Sequence, residues 1–177
     1  FTLNGTMSGA AVGAESNIGS VSVGGDVSAG AVAAGGTIGS VQVSGDVMSG
    51  SVIAAARIPV VEVLRNLASD DPSNPVIVAA LGRTGGQPDA VGIDKLIVRG
   101  DVENAQILLG YKSQRDPDSG ERTQLPKNPD ARVGSVIVRG DWSASSLVAG
   151  VLDARGDGFG QNDTLIGGKN NPDLVSA

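Results

Sequence analysis

A 20-residue unit recurs along this chain, and it constrains the fold more than any other feature. Residues 18–37 read IGSVSVGGDVSAGAVAAGGT, and residues 38–57 read IGSVQVSGDVMSGSVIAAAR. The unit returns at 93 as IDKLIVRGDVENAQILLGYK and at 133 as VGSVIVRGDWSASSLVAGVL. The opening FTLNGTMSGAAVGA fits the same template but starts three residues late, with Phe1 in the place of Val21 and Val12 in that of Val32. A worn copy at 58 keeps Ile58, Val61, Val63, Asn66 and Leu67. It is interrupted by the polar insert 69–74 and resumes at 78–82. This makes six copies, the first truncated.

Within a copy the apolar residues alternate with polar ones, as in Val21-Ser22-Val23 and Val41-Gln42-Val43. That period of two describes a strand with one face inward. Val27 and Val32 open two further short strands after glycine-containing turns. No copy carries a helical period. Twenty residues at ~3.3 Å each trace ~66 Å, enough for one coil of three short strands around a narrow core. A lone coil cannot bury its Val and Ile, whereas a stack can. The expected fold is all-β: a parallel β-solenoid (a right-handed β-helix) of about six coils, forming a single domain over 1–177.

The copies at 18 and 38 follow each other without a gap, but the later ones are separated by loops at 83–92, 113–132 and 153–163. All three leave after the small-residue turn that ends a copy. They are therefore expected at one corner, facing solvent or a neighbouring subunit, because a corner insertion leaves stacked strands intact.

Composition excludes several classes of chemistry. The chain has no Cys and no His, which removes disulfides, thiolate or imidazole metal sites, and Ser-His or Cys-His catalysis. The net charge of −6 argues against nucleic acid as a partner. No apolar run reaches the ~20 residues that a membrane span needs. A sugar-cleaving β-helix would need paired carboxylates, or an Arg or Lys base with calcium, in an aromatic-lined groove. Lys95, Arg99 and Arg139 lie near Asp101 and Asp141, but only four residues are aromatic (Phe1, Tyr111, Trp142 and Phe159). We therefore expect a non-enzymatic protein, with a carbohydrate-active β-helix as the alternative.

Two constellations are candidate sites. The first is the recurring Gly-Asp column, with Asp26, Asp46, Asp101 and Asp141 in line with Asn66 and Thr6. Stacked carboxylates ~5 Å apart repel by roughly 3 kcal/mol per pair at an effective dielectric of 20. They must be solvated, hydrogen-bonded to amides, or bridged by cations. The residue types suit Asx turns first, with a cation ladder as the alternative. The second is the oxygen-rich and glycine-rich loop at 153–163, where Asp153, Asp157 and Asp163 are candidate calcium ligands, since Ca²⁺ takes 6–8 oxygens from flexible loops. Arg-Gly-Asp occurs at 99–101, 139–141 and 155–157, and the first two copies fall on the repeated turn.

The string I-G-S-V-x-V-x-G-D-V, then V-x-A-G, then a D-x-x-x-D-G-x-F-G loop resembles the β-strand-repeat surface proteins of bacteria, which are similar in style to adhesins and autotransporter passengers. That resemblance implies a β-solenoid, an extracellular or cell-surface location, and a role in adhesion or surface fibres. It again points to Asp153, Asp157 and Asp163 for calcium. The V-x-G-x-V pattern also resembles bactofilins, cytoskeletal β-helices that polymerise end to end. Residues 1–56 hold no Lys or Arg, which offers a weakly hydrated face for lateral packing. Repeat stacks also need covered ends, and the sequence begins in mid-coil, so the chain is expected to be a segment of a longer protein or of a polymeric assembly. Self-association through end-to-end coil stacking and lateral contacts is the expected partnership.

Overall fold

The computed structural model describes residues 1–83, 90–115, 122–156, 158–160 and 163–166. Among these the regular elements are all strands, with no helix, and hence none long and apolar enough to cross a membrane. Most pairing is parallel. One six-stranded sheet runs in the order Thr2–Leu3, Val21–Val23, Ser40–Val43, Ile58–Val63, Val91–Val98, Arg132–Val138. A second six-stranded sheet contains Ala11–Ala14, Ala31–Ala34, Val52–Ala55, Val76–Ala80, Ala105–Leu109 and Ser146–Ala149. Between them run short pairs: Met7–Ser8 with Val27–Ser28, and Leu67–Ala68 with Val102–Glu103 and Trp142–Ser143. Single bridges through Val47 join these two groups.

The register follows from the period of the sequence. Val21 faces Val41, Val41 faces Val61, Val61 faces Leu96 and Leu96 faces Val136. Like residues therefore sit directly over one another at the ~4.8 Å strand spacing. Val23, Val43, Val63 and Val98 form the next inward column, and all four are fully buried. Met7, Val27, Val47, Leu67 and Val102 make another. These columns merge into one continuous apolar cluster with Val32, Ile53, Val78 and Ile107. Fully burying one such side chain is worth about 1.5–3 kcal/mol, and it happens only because the turns on either side exclude water.

One register differs from a strict 20-residue period. Val32 pairs with Ile53, not Val52, and Ala33 pairs with Ala54. The turn at 48–51 carries one extra residue, with Gly50 at φ +71°. The next corner takes the residue back, since Thr37 again pairs with Arg57. A one-residue slip exchanges the two faces of a strand, so Ile53 enters the core while Val52 is left half-buried.

The 113–132 insertion also differs from a solvated loop. Tyr111–Arg115 pairs antiparallel with Arg122–Pro126 as a hairpin that starts two residues earlier than the sequence pattern implies. The chain then folds back: the amides of Lys127 and Asn128 both donate to the Gly110 carbonyl, and Asn128 is buried. The reason lies on the outer face of the second six-stranded sheet, where Ala54, Ala79, Leu108 and Val148 are stacked in register. Tyr111 and Ile166 cover that face and form a second apolar cluster. A similar short antiparallel pair, Val151–Leu152 with Thr164–Leu165, brackets the 153–163 loop.

Candidate functional site

The Gly-Asp column is a ladder of hydrogen bonds from one turn to the next. The Asp26 carboxylate accepts the Asp46 amide at 2.9 Å, and Asp46 accepts the Asn66 amide at 2.9 Å. Asn66 Oδ1 accepts the Asp101 amide at 2.8 Å, and Asp101 accepts the Asp141 amide at 2.8 Å. The column is thus bonded to backbone N–H groups, one of the three arrangements its charges allow. A bond from an amide to a charged acceptor contributes about 1.5–3 kcal/mol. Asn66 keeps the rung without the charge.

The same geometry explains the glycines. A Cβ on Gly45 would overlap Asp26 Oδ1, one on Gly100 would overlap Asn66 Oδ1, and one on Gly140 would overlap Asp101 Oδ1. Each carboxylate or amide oxygen occupies the space that the next turn's glycine leaves open. Gly and Asp are therefore paired across turns rather than within one. The corner at 17 repeats the device: Asn17 Oδ1 accepts the Thr37 amide at 2.7 Å, and a Cβ on Gly36 would overlap that oxygen. Arg65 is the exception in the main column. Gly25 donates to Gly5 O, Gly45 to Gly25 O, and Gly140 to Gly100 O, but among the described residues no such bond runs from Arg65 to Gly45.

Sequence reading missed a second column. Gly9, Ala29, Asn104 and Ala144 occupy the same turn and have φ of +60°, +48°, +46° and +46°. The clues are Gly9 and Asn104, which are among the residues that tolerate the left-handed region; the two alanines disguise it. Asn128 was missed as well. Its Nδ2 donates to Leu81 O at 2.9 Å and Arg83 O at 3.1 Å, which ties two corners together. The Asn-Pro-Asp run at 128–130 was its only sequence signal.

Three arginines, Arg57, Arg65 and Arg99, pair with carboxylates of neighbouring repeats. Arg99 binds Glu62 Oε1 through Nε at 3.2 Å and Nη2 at 2.8 Å. Arg57 forks onto both Asp94 oxygens, Nε to Oδ1 at 3.3 Å and Nη2 to Oδ2 at 2.6 Å. Exposed pairs of this kind are worth about 0–1 kcal/mol.

In the 153–163 loop, Asp153 accepts three backbone amides. Its Oδ1 accepts the amides of Arg155 and Gly156 at 3.2 and 2.6 Å, and its Oδ2 accepts that of Gly158 at 2.9 Å. Asp163 Oδ2 accepts the Gly160 amide at 2.6 Å, while its Oδ1 is buried and meets no hydrogen-bond partner among the described residues. Asp157 lies outside the described residues. Among those described, no group of three or more metal-ligating side chains gathers. Both aspartates act on Tyr111, whose hydroxyl donates to Val151 O at 2.5 Å. Burial, and then the negative charges of Asp153 and Asp163, push its pKa up to about 12.

No protein-family model, no curated protein and no solved structure matches this chain.

Proposed function

We propose that the chain is a right-handed parallel β-solenoid acting as a non-enzymatic, self-associating structural module of an extracellular fibre or cell-surface layer. The observation that carries this reading is the Asp26–Asp46–Asn66–Asp101–Asp141 ladder, in which side-chain bonds hold turn to turn. Further support comes from parallel pairing between residues 20 apart and from core columns that run through successive turns. Such a stack resists pulling and proteolysis because its backbone groups and apolar side chains are satisfied by the turns above and below. The acidic balance turns the reading away from nucleic acid. The right-handed hand follows the chirality of parallel crossovers.

Calcium at the 153–163 loop belongs to the same proposal, with Asp163 Oδ1 as the supporting atom: among the described residues no donor meets this buried oxygen, and such an anionic oxygen is costly unless a cation meets it. Titrating the purified chain with calcium alone should raise its melting temperature, and Asp163→Ala should abolish the rise. Absence of any calcium effect would remove this element. For the module as a whole the test is electron microscopy with analytical ultracentrifugation. Filaments or sheets are expected, and a chain that stays monomeric at high concentration would refute the reading.

A further inference from the structure

The buried apolar side chains divide into two clusters. One fills the inside of the stacked turns. The other lies on the outer face of the second six-stranded sheet, where Ala54, Ala79, Leu108 and Val148 meet Tyr111 and Ile166. The covering layer comes from two antiparallel pairs, Tyr111–Arg115 with Arg122–Pro126 and Val151–Leu152 with Thr164–Leu165. Among the described residues neither pair joins the parallel ladders, and each forms a two-stranded sheet of its own.

Both halves of this cover leave the stack in the same way. Ala105–Leu109 passes through Gly110 into Tyr111, and Ser146–Ala149 passes through Gly150 into Val151. Both glycines are left-handed, with φ of +94° and +69°. Glycine moves between such dihedrals without a Cβ clash, and hinges are residues at the ends of elements that absorb a change of this kind. A side chain joins the halves. The Tyr111 hydroxyl donates to Val151 O at 2.5 Å, and the Phe159 ring stands edge-on to that of Tyr111, with centroids 6.3 Å apart.

The cover is also the least satisfied part of the molecule. Among the described residues two buried side-chain oxygens lack a hydrogen-bond partner, and both belong to it: Gln124 Oε1 in the hairpin and Asp163 Oδ1 beside the second pair. A groove of about 270 Å³ separates Lys112 and Ser113 from Ala33, Ala34 and Ala54, so the hairpin edge is not packed flush on the sheet. Units with few buried apolar contacts open at a lower free energy than the core they rest on.

We infer that the hairpin and the Val151–Leu152/Thr164–Leu165 pair form one cover, latched through Tyr111, which swings off the outer face about Gly110 and Gly150 while the parallel stack stays folded. Opening bares Ala54, Ala79, Leu108 and Val148 and leaves the inner cluster intact. The device requires neither calcium nor self-association.

Thiol labelling separates opening from unfolding, because the chain has no cysteine of its own. Ala79 lies under the cover and Val63 in the inner columns, and both are 0 % exposed. In dilute protein with chelator, Ala79→Cys should react more than about tenfold faster than Val63→Cys, as a local opening outpaces global unfolding. Gly45→Ala strains the stack but not the cover. It should speed Val63→Cys by more than about tenfold, as overpacking does, and leave Ala79→Cys unchanged. Tyr111→Phe removes the latch and should speed Ala79→Cys and Val148→Cys by the same factor, about five- to tenfold for one lost hydrogen bond. Equal acceleration of Ala79→Cys and Val63→Cys by Gly45→Ala would show that the outer face is bared only by global unfolding, and would overturn the inference. No effect of Tyr111→Phe would overturn the latch. Unequal effects on Ala79→Cys and Val148→Cys would mean two separate flaps in place of one cover.

Discussion

Replacing Gly45 by alanine probes the ladder at its most constrained point. The added Cβ would overlap Asp26 Oδ1 and come within 2.7 Å of the Gly25 carbonyl carbon and 2.8 Å of the Asp26 nitrogen. Two of these neighbours are backbone, so no rotamer change relieves them. Forcing them apart costs about 1–3 kcal/mol, as overpacking does. The column itself shows what gives way: where Arg65 supplies a Cβ, the amide-to-carbonyl bond to the turn below is missing. Losing the equivalent Gly45-to-Gly25 bond adds about 1 kcal/mol. The sum is about 2–4 kcal/mol. At about 2–4 °C per kcal/mol for a chain of this size, Tm should fall by roughly 4–16 °C. Gly5→Ala is the control, with nothing within 4 Å of the new methyl, and should stay within about 0.5 kcal/mol of the parent. Urea unfolding of dilute protein, followed by circular dichroism, measures both. If Gly45→Ala proves as benign as Gly5→Ala, the explanation of the Gly-Asp pair is wrong.

Other outcomes follow from single sites. Ala29→Gly and Ala144→Gly should each raise stability by about 0.5–1 kcal/mol, because they relieve a left-handed alanine at some cost in unfolded-chain entropy; thermal melts check the sign. Tyr111 is the only tyrosine, so its absorbance titration should have a midpoint near 12 in place of 10.0. Since folding favours the neutral phenol, that contribution to stability is complete below about pH 10 and is lost as pH rises towards 12. Asp153→Asn or Asp163→Asn should move the midpoint down without restoring the ordinary value, since burial is the larger cause.

The column structure was legible because each core position recurs in kind. Val12 against Val32, and Leu67 against Val47, can be read from spacing alone even where the copies are truncated or worn. The slip at Ile53 was not legible. Val52 and Ile53 are both apolar, and only the left-handed turn at Gly50 decides which of them points inward. The hairpin that starts at Tyr111 escaped for a different reason. Its strands are polar, and what pulls them onto the sheet is the apolar outward face of Ala54, Ala79 and Leu108, which is buried under Tyr111 and which no single segment announces. The Asp column could be seen, but its partner could not, since a backbone amide leaves no mark in the alphabet of side chains. The preceding glycine was the mark.

The occupied cradle has an evolutionary corollary. Because the oxygen of one repeat fills the void of its successor, neither half of that lock has any value within a solitary unit. A tandem duplication copies key and keyhole together, so a freshly inserted module mates with both neighbours at once. Lengthening such a protein by whole units is therefore mechanically simple, whereas drift at a lone glycine or aspartate damages two adjacent units.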